Sequence, residues 1–79
     1  MKARVTVTLK SGILDPQGKA IEGALKSLGF GEVDNVRQGK VIELDVDAAD
    51  QATARKRVGE MCDKLLANTV IENYRIELI

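Results

Sequence analysis

Residues 3–9, Ala-Arg-Val-Thr-Val-Thr-Leu, alternate apolar and polar without a break, and Asp15-Pro16 soon afterwards opens a stretch with helical spacing. The alternation predicts a half-buried strand with Val5, Val7 and Leu9 on one face and Arg4, Thr6, Thr8 and Lys10 on the other. Asp15 is placed to cap the helix, and Pro16 fits its first position, where a missing N–H costs nothing. Ile21, Ala24, Leu25 and Leu28 follow on one helical face. Gly29 is predicted to stop the helix in the left-handed conformation, with Phe30 folding back on Leu25. Such a strand-to-helix start commits the chain to packing a helix and a sheet together.

The connecting stretch SGILDPQG is more specified than a turn requires. Glycine inside a helix costs ~1 kcal/mol relative to alanine, so Gly18 asks for a reason. Close approach by another backbone, an open helix N-terminus facing an anion, or a tolerated surface glycine would each serve. Gly23 repeats the feature on the same short helix and favours close packing against something.

Further along, Val33 and Val36 mark a short second strand closed by a hairpin at Arg37-Gln38-Gly39-Lys40. Val41–Val46 return with Ile42, Leu44 and Val46 facing the core. Asp47 or Asp50 caps a second helix whose apolar stripe is Ala54, Val58, Met61, Cys62 and Leu65. Asn68 is the expected left-handed terminator. A last strand points Tyr74, Ile76 and Leu78 inward, with Arg75 and Glu77 outward. The order is β-α-β-β-α-β, an α+β two-layer sandwich of the ferredoxin-like kind, over one domain spanning residues 1–79. Right-handed crossovers put both helices on one face of a mainly antiparallel sheet. The other face carries Thr, Lys, Arg and Glu, with Val41 and Ile79 as exceptions; cross-strand charge pairs keep it wet, or a second subunit extends or covers the sheet.

At 79 residues, a single core leaves only ~3–5 kcal/mol of net stability without further support. The one cysteine, Cys62, allows no internal disulfide, and the absence of histidine makes a structural zinc site implausible. Oligomerisation is the remaining device. Twelve basic residues balance twelve acidic ones, which removes the electrostatic footprint of a nucleic-acid binder. Phe30 and Tyr74 are too few for a base-stacking platform. No apolar run reaches membrane-spanning length and no leader opens the chain, so a cytoplasmic location is expected. Chemistry is equally sparse. Without histidine, Cys62 has no partner to activate it and reads as a buried core thiol. Glu43, Asp45 and the basic run Arg55-Lys56-Arg57 read as solvated faces. No catalytic residue and no metal site are expected on this chain.

Three segments carry a resemblance: LKSGILDPQGKAIEGALKSLGF, VRQGKVIEL and MCDKLLANTVIENYRIEL. Together, in that order, they resemble the PurS family, the small subunits of phosphoribosylformylglycinamidine synthase. The resemblance implies a non-catalytic subunit of an ATP-dependent, glutamine-hydrolysing C–N ligase complex in de novo purine biosynthesis. Its expected partners are a large ligase subunit (PurL), which would hold ATP and Mg²⁺, and a glutaminase subunit (PurQ). No cofactor is expected on this chain, which would itself form a homodimer or tetramer. Ammonia released into neutral water is mostly protonated and ceases to be a nucleophile. A docked complex that hands it on directly therefore needs positioning, which a subunit without catalytic residues can supply.

By the same resemblance, Asp15, Pro16, Gln17 and Gly18, with Arg37, Gly39 and Lys40, are expected to contact a partner subunit. Arg37 and Lys40 read equally well as a solvated hairpin tip. Asn68, Val70, Ile71, Glu72 and Tyr74 are expected at a self-association surface. Thr69 stands where the family commonly has proline, which loosens the helix-to-strand corner, and Asn73 replaces an acidic residue. Replacing Gly18 by leucine is expected to spare the fold and weaken assembly. A regulatory amino-acid-binding domain of the ACT type shares the element order and is the alternative.

Overall fold

The computed structural model describes residues 1–79. Along the chain lie β1 (Lys2–Leu9), α1 (Pro16–Ser27), β2 (Lys40–Asp45), α2 (Gln51–Met61), one π-helical turn (Cys62–Leu66) and β3 (Glu72–Leu78). The strands form an antiparallel sheet in the order β2-β1-β3. Val5 stands opposite Ile42 on one side and Ile76 on the other. The α+β class and the antiparallel sheet are as the alternation predicts.

The core is small and one-sided. Ala3, Val5 and Val7 of β1 pack with Val46, Ala54, Val58, Cys62 and Ala67, and Ile42, Leu44, Tyr74, Ile76 and Leu78 flank them. Asp50 rather than Asp47 caps α2, its Oδ1 accepting the Thr53 N–H at 2.7 Å. Ala54 and Val58, one turn apart, and then Cys62 are wholly buried against the sheet. Arg55 reaches past the edge of β3 to donate to the Ile76 carbonyl at 3.0 Å, which occupies an acceptor that an open edge would leave free. On the opposite sheet face, Arg4 donates from Nε and Nη2 to Glu43 Oε2, both at 3.1 Å.

Five expectations are corrected. Residues 33–36 are not a strand. Asn35 has φ +51°, which breaks an extended run, and the Val36 N–H donates to Glu22 Oε1 instead of to a neighbouring strand. With that strand absent, Arg37–Lys40 is not a hairpin tip but the point where the chain rejoins the sheet. Nor do both helices cover one sheet face. In α1 only Gly18 is buried, while Ile21 and Leu28 are 38% and 73% exposed. Finally, Asn68 is not left-handed, since Asn35 is the sole non-glycine residue of positive φ. The second helix ends through the π turn, in which the Ala67 N–H donates to the Cys62 carbonyl at 3.0 Å. Asn68 forms the following turn, with its Oδ1 accepting from the Val70 N–H. The extra residue in the π turn rotates Leu65 out of the predicted stripe and leaves it 83% exposed.

α1 itself ends as predicted. Gly29 has φ +100°, its N–H donates to the Lys26 carbonyl, and the Phe30 N–H donates to the Leu25 carbonyl, a complete Schellman stop.

Candidate functional site

The loop before α1 and the segment before β2 meet at one end of the sheet, 23 residues apart where Asp15 binds Gln38, and Asp15 is the knot. Its side chain is 5% exposed. Oδ1 accepts the Gly18 N–H at 2.9 Å, the cap that its position predicts, and Oδ2 accepts the Gln38 N–H at 2.7 Å. These two backbone donors, Gln38 foremost and then Gly18, hold its carboxyl below the usual range, with Arg37 nearby adding to the effect. Gln38 Nε2 also donates to Gln17 Oε1 at 2.7 Å, and Arg37 donates to the Lys10 carbonyl at 3.2 Å.

Both glycines of this region are explained by close approach. A side chain on Gly18 would run into the Val36 carbonyl and the Asp15 carboxylate of the same chain. One on Gly39 would lie 2.6 Å from the Val7 carbonyl. The expectation that Gly18→Leu spares the fold is therefore corrected: the glycine is needed inside the chain. Gly23, by contrast, faces open space.

Above the knot lies a cleft of about 480 Å³ lined by Val7, Leu9, Asp15–Gln17, Gln38–Lys40 and Glu72. It gathers Asp15, Pro16, Gln17, Gly39 and Lys40 from the partner-contact set, with Gly18 buried beneath. Arg37 points instead along the end of β1. Gln38 and Glu72 are the members that sequence reasoning placed elsewhere or passed over. Gln38 lies inside the VRQGK motif, but nothing in the pattern shows that its backbone reaches Asp15.

The C-terminal set is dispersed. Val70 is 80% exposed at the turn, and Glu72 Oε1 accepts the Asn68 N–H at 2.6 Å. Ile71 continues the β1–β3 pairing, its carbonyl accepting the Lys10 N–H at 2.8 Å. Tyr74 packs on the core and its hydroxyl donates to Asp63 Oδ1 at 3.1 Å, which, with burial, raises its ionisation above the usual tyrosine range. Cys62 is fully buried, and desolvation pushes its thiol up, with Asp63 adding to the effect. A thiol in that state is a poor nucleophile. Carboxylates and the thiol do not gather into a group able to hold a metal ion, and no helix is long and apolar enough to cross a membrane. The cleft offers exposed polar side chains around a rigid floor, which suits contact with another macromolecule better than bond-making chemistry.

The profile of the family described as PurS, phosphoribosylformylglycinamidine (FGAM) synthase, matches residues 2–79. The chain belongs to the PurS family. Phosphoribosylformylglycinamidine synthase subunit PurS of Synechocystis is 52% identical over 95% of this chain and 75% of its own length. The Bacillus subtilis PurS structure is 51% identical, covers 96% of this chain and 94% of its own, and superposes with a TM-score of 0.86. A structure of PurLQS from Thermotoga maritima matches at 33% identity, 99% and 95% coverage, and a TM-score of 0.90. These PurS structures thus share the fold of this chain over nearly its whole length.

Proposed function

We propose that this chain is the small, non-catalytic subunit of phosphoribosylformylglycinamidine synthase in de novo purine biosynthesis. It docks the ATP-dependent ligase subunit (PurL) to the glutaminase subunit (PurQ), so that ammonia from glutamine reaches formylglycinamide ribonucleotide without release into solvent. The observation that carries this reading is the match, over nearly the whole chain, to the Thermotoga PurLQS structure. ATP and Mg²⁺ belong to the ligase subunit, and the work takes place in the cytoplasm.

In this reading Pro16, Gln17 and Lys40 on the rim of the cleft contact a catalytic subunit, with Arg37 beside them. Asp15, Gly18 and Gly39 act indirectly, by fixing the loop that presents them. Asn68, Val70, Ile71, Glu72 and Tyr74 lie at or support a self-association surface of a homodimer or tetramer. The test is co-sedimentation of this chain with purified ligase and glutaminase subunits in the presence of glutamine and Mg²⁺-ADP. A single species containing all three chains is expected, and Gln17→Ala with Lys40→Glu should weaken it. Failure of the three to associate, together with heat on titrating an amino acid into the small chain alone, would favour the amino-acid-binding alternative.

A further inference from the structure

The long axis of the molecule is 50 Å. β1, with 8 residues, spans ~26 Å and α1, with 12 residues, spans ~18 Å, so the two reach that length only by lying roughly end to end. α1 and the segment returning from it thus form an arm beyond the sheet, in which Gly18 is the only buried helical residue. Glu22 is out of place on such an arm. Its side chain is only 12% exposed, whereas that of Lys26, one turn on, is 48% exposed.

Glu22 Oε1 accepts the Val36 N–H at 3.2 Å. Its other oxygen lies 3.7 Å from Lys26 Nζ, a long surface pair of the kind that contributes little. Asp15, Gly18 and Glu22 follow one another at intervals of three and four residues, which puts them on one face of the helix start. All three meet the same short segment. Asp15 Oδ2 takes the Gln38 N–H at 2.7 Å, Glu22 takes the Val36 N–H, and the Val36 carbonyl lies against Gly18. Val36 and Gln38 are alternate residues, whose N–H groups point the same way in an extended chain. Two carboxylates of the arm therefore hold this segment as the carbonyls of a neighbouring strand would. Asn35, at φ +51°, turns the chain into the clasp, and β2 begins at Lys40 just beyond it.

We propose that Glu22 is a positioning residue for docking: by fixing Val36 it sets where Gln38 and Lys40 stand at the cleft, so that α1 and the rim move as one body. Gln38 Nε2, donating to Gln17 Oε1 at 2.7 Å, closes the clasp on the rim side. Only Oε1 reaches the backbone, so the role needs an acceptor and not a charge. Glutamine can fill it and alanine cannot. This rests on the docking role proposed above and deepens it by naming a residue outside the cleft on which that role depends.

The test is co-sedimentation of full-length variants with purified ligase and glutaminase subunits, alongside amide exchange in the small chain alone. Glu22→Ala should weaken assembly about fivefold, the loss of one net hydrogen bond, while Glu22→Gln stays within about twofold of the parent. Alanine is a good helix former, so the helical signal is retained. In Glu22→Ala, exchange should rise at Val36 and Gln38 and stay unchanged at Val5 and Val58. Added to Lys40→Glu, Glu22→Ala should have less than its own effect, because the rim contact that it positions is already lost. A merely structural role would instead give two independent effects that multiply. Four results would overturn the proposal: Glu22→Gln weakens assembly as much as Glu22→Ala; Glu22→Ala leaves assembly intact although Lys40→Glu weakens it; Val36 exchange is unchanged in Glu22→Ala; or the double variant shows the full product of the two effects. If Lys40→Glu itself has no effect, the docking role of the rim fails first, and the proposal falls with it.

Discussion

α1 and α2 have the same apolar periodicity and opposite fates. The stripe of α2 and its π turn is made of small residues, Ala54, Val58 and Cys62, all at 0% exposure. That of α1 is made of larger ones, yet Leu28 remains 73% exposed. Small side chains let α2 approach the sheet closely enough to close a dry core around Val5 and Val7, and Arg55 pins it to β3. α1 is held at its base, where Asp15 joins the helix start to Gln38 through two backbone N–H donors. One half of the molecule is held by burial, the other by a few buried hydrogen bonds. The second half is accordingly the one left free to meet other chains.

The sharpest way to break this contrast is to place the same charge in each helix. Val58→Asp, which buries a carboxylate in the core, should cost more than the ~3–5 kcal/mol available and abolish the far-ultraviolet helical signal. Leu28→Asp should leave the folding of the isolated chain within ~0.5 kcal/mol of the parent. If the two variants melt alike, the division into a packed half and a free arm is wrong.

Next in size are the close approaches. Gly39→Val, whose Cβ meets the Val7 carbonyl, should cost about 1–3 kcal/mol in urea unfolding by forcing β2 away from β1. Gly18→Ala should act at a distance, loosening the arm: amide exchange should rise at Gly18 and Gln38 and stay unchanged at Val5 and Val58. Equal acceleration throughout would mean that the arm and the sheet unfold as one unit.

A smaller effect follows from titration. Asp15 and Asp50 both ionise below the ordinary value of 3.8 because backbone N–H groups bind the carboxylates. A depressed folded pKa means stabilisation that is complete above the unfolded pKa and lost as pH falls through the folded one. Acid below about pH 4 should therefore loosen both halves, and Asp15→Asn should flatten that dependence at the arm base while sparing the sheet. Acid titration followed by backbone resonances reads each half separately. The smallest structural effect belongs to Gln17→Ala on the cleft rim, within ~0.5 kcal/mol by thermal melt.

Much of the contrast could be read in the sequence, although its meaning could not. The alternation of residues 3–9, the cap and proline at residues 15–16, the Gly29 stop and the last strand all follow local rules. Asp15, Pro16, Gln17, Gly39 and Lys40, which the family resemblance rather than any local rule singles out, line one cleft. The strand expected at residues 33–36 fails because its backbone donor is taken by a side chain, Glu22, 14 residues away, and nothing local announces that. The same holds for Asp15 and Gln38, a buried pairing across 23 residues. A helical stripe states that a face must be covered, but not by whom, so Ile21, Leu25 and Leu28 point in sequence to the chain's own sheet. The π turn that moves Leu65 outward has no signature in Cys-Asp-Lys-Leu-Leu.

The proposed role of this chain is docking, with no chemistry of its own. It is tested most directly by assaying the purified ligase and glutaminase subunits with and without the small chain, using either glutamine or a high concentration of ammonium salt as the nitrogen source. Formation of formylglycinamidine ribonucleotide from glutamine should depend on the small chain, while formation from ammonium should proceed without it. Glutamine-dependent synthesis at full rate in its absence, or ammonium-dependent synthesis that also requires it, would contradict the account.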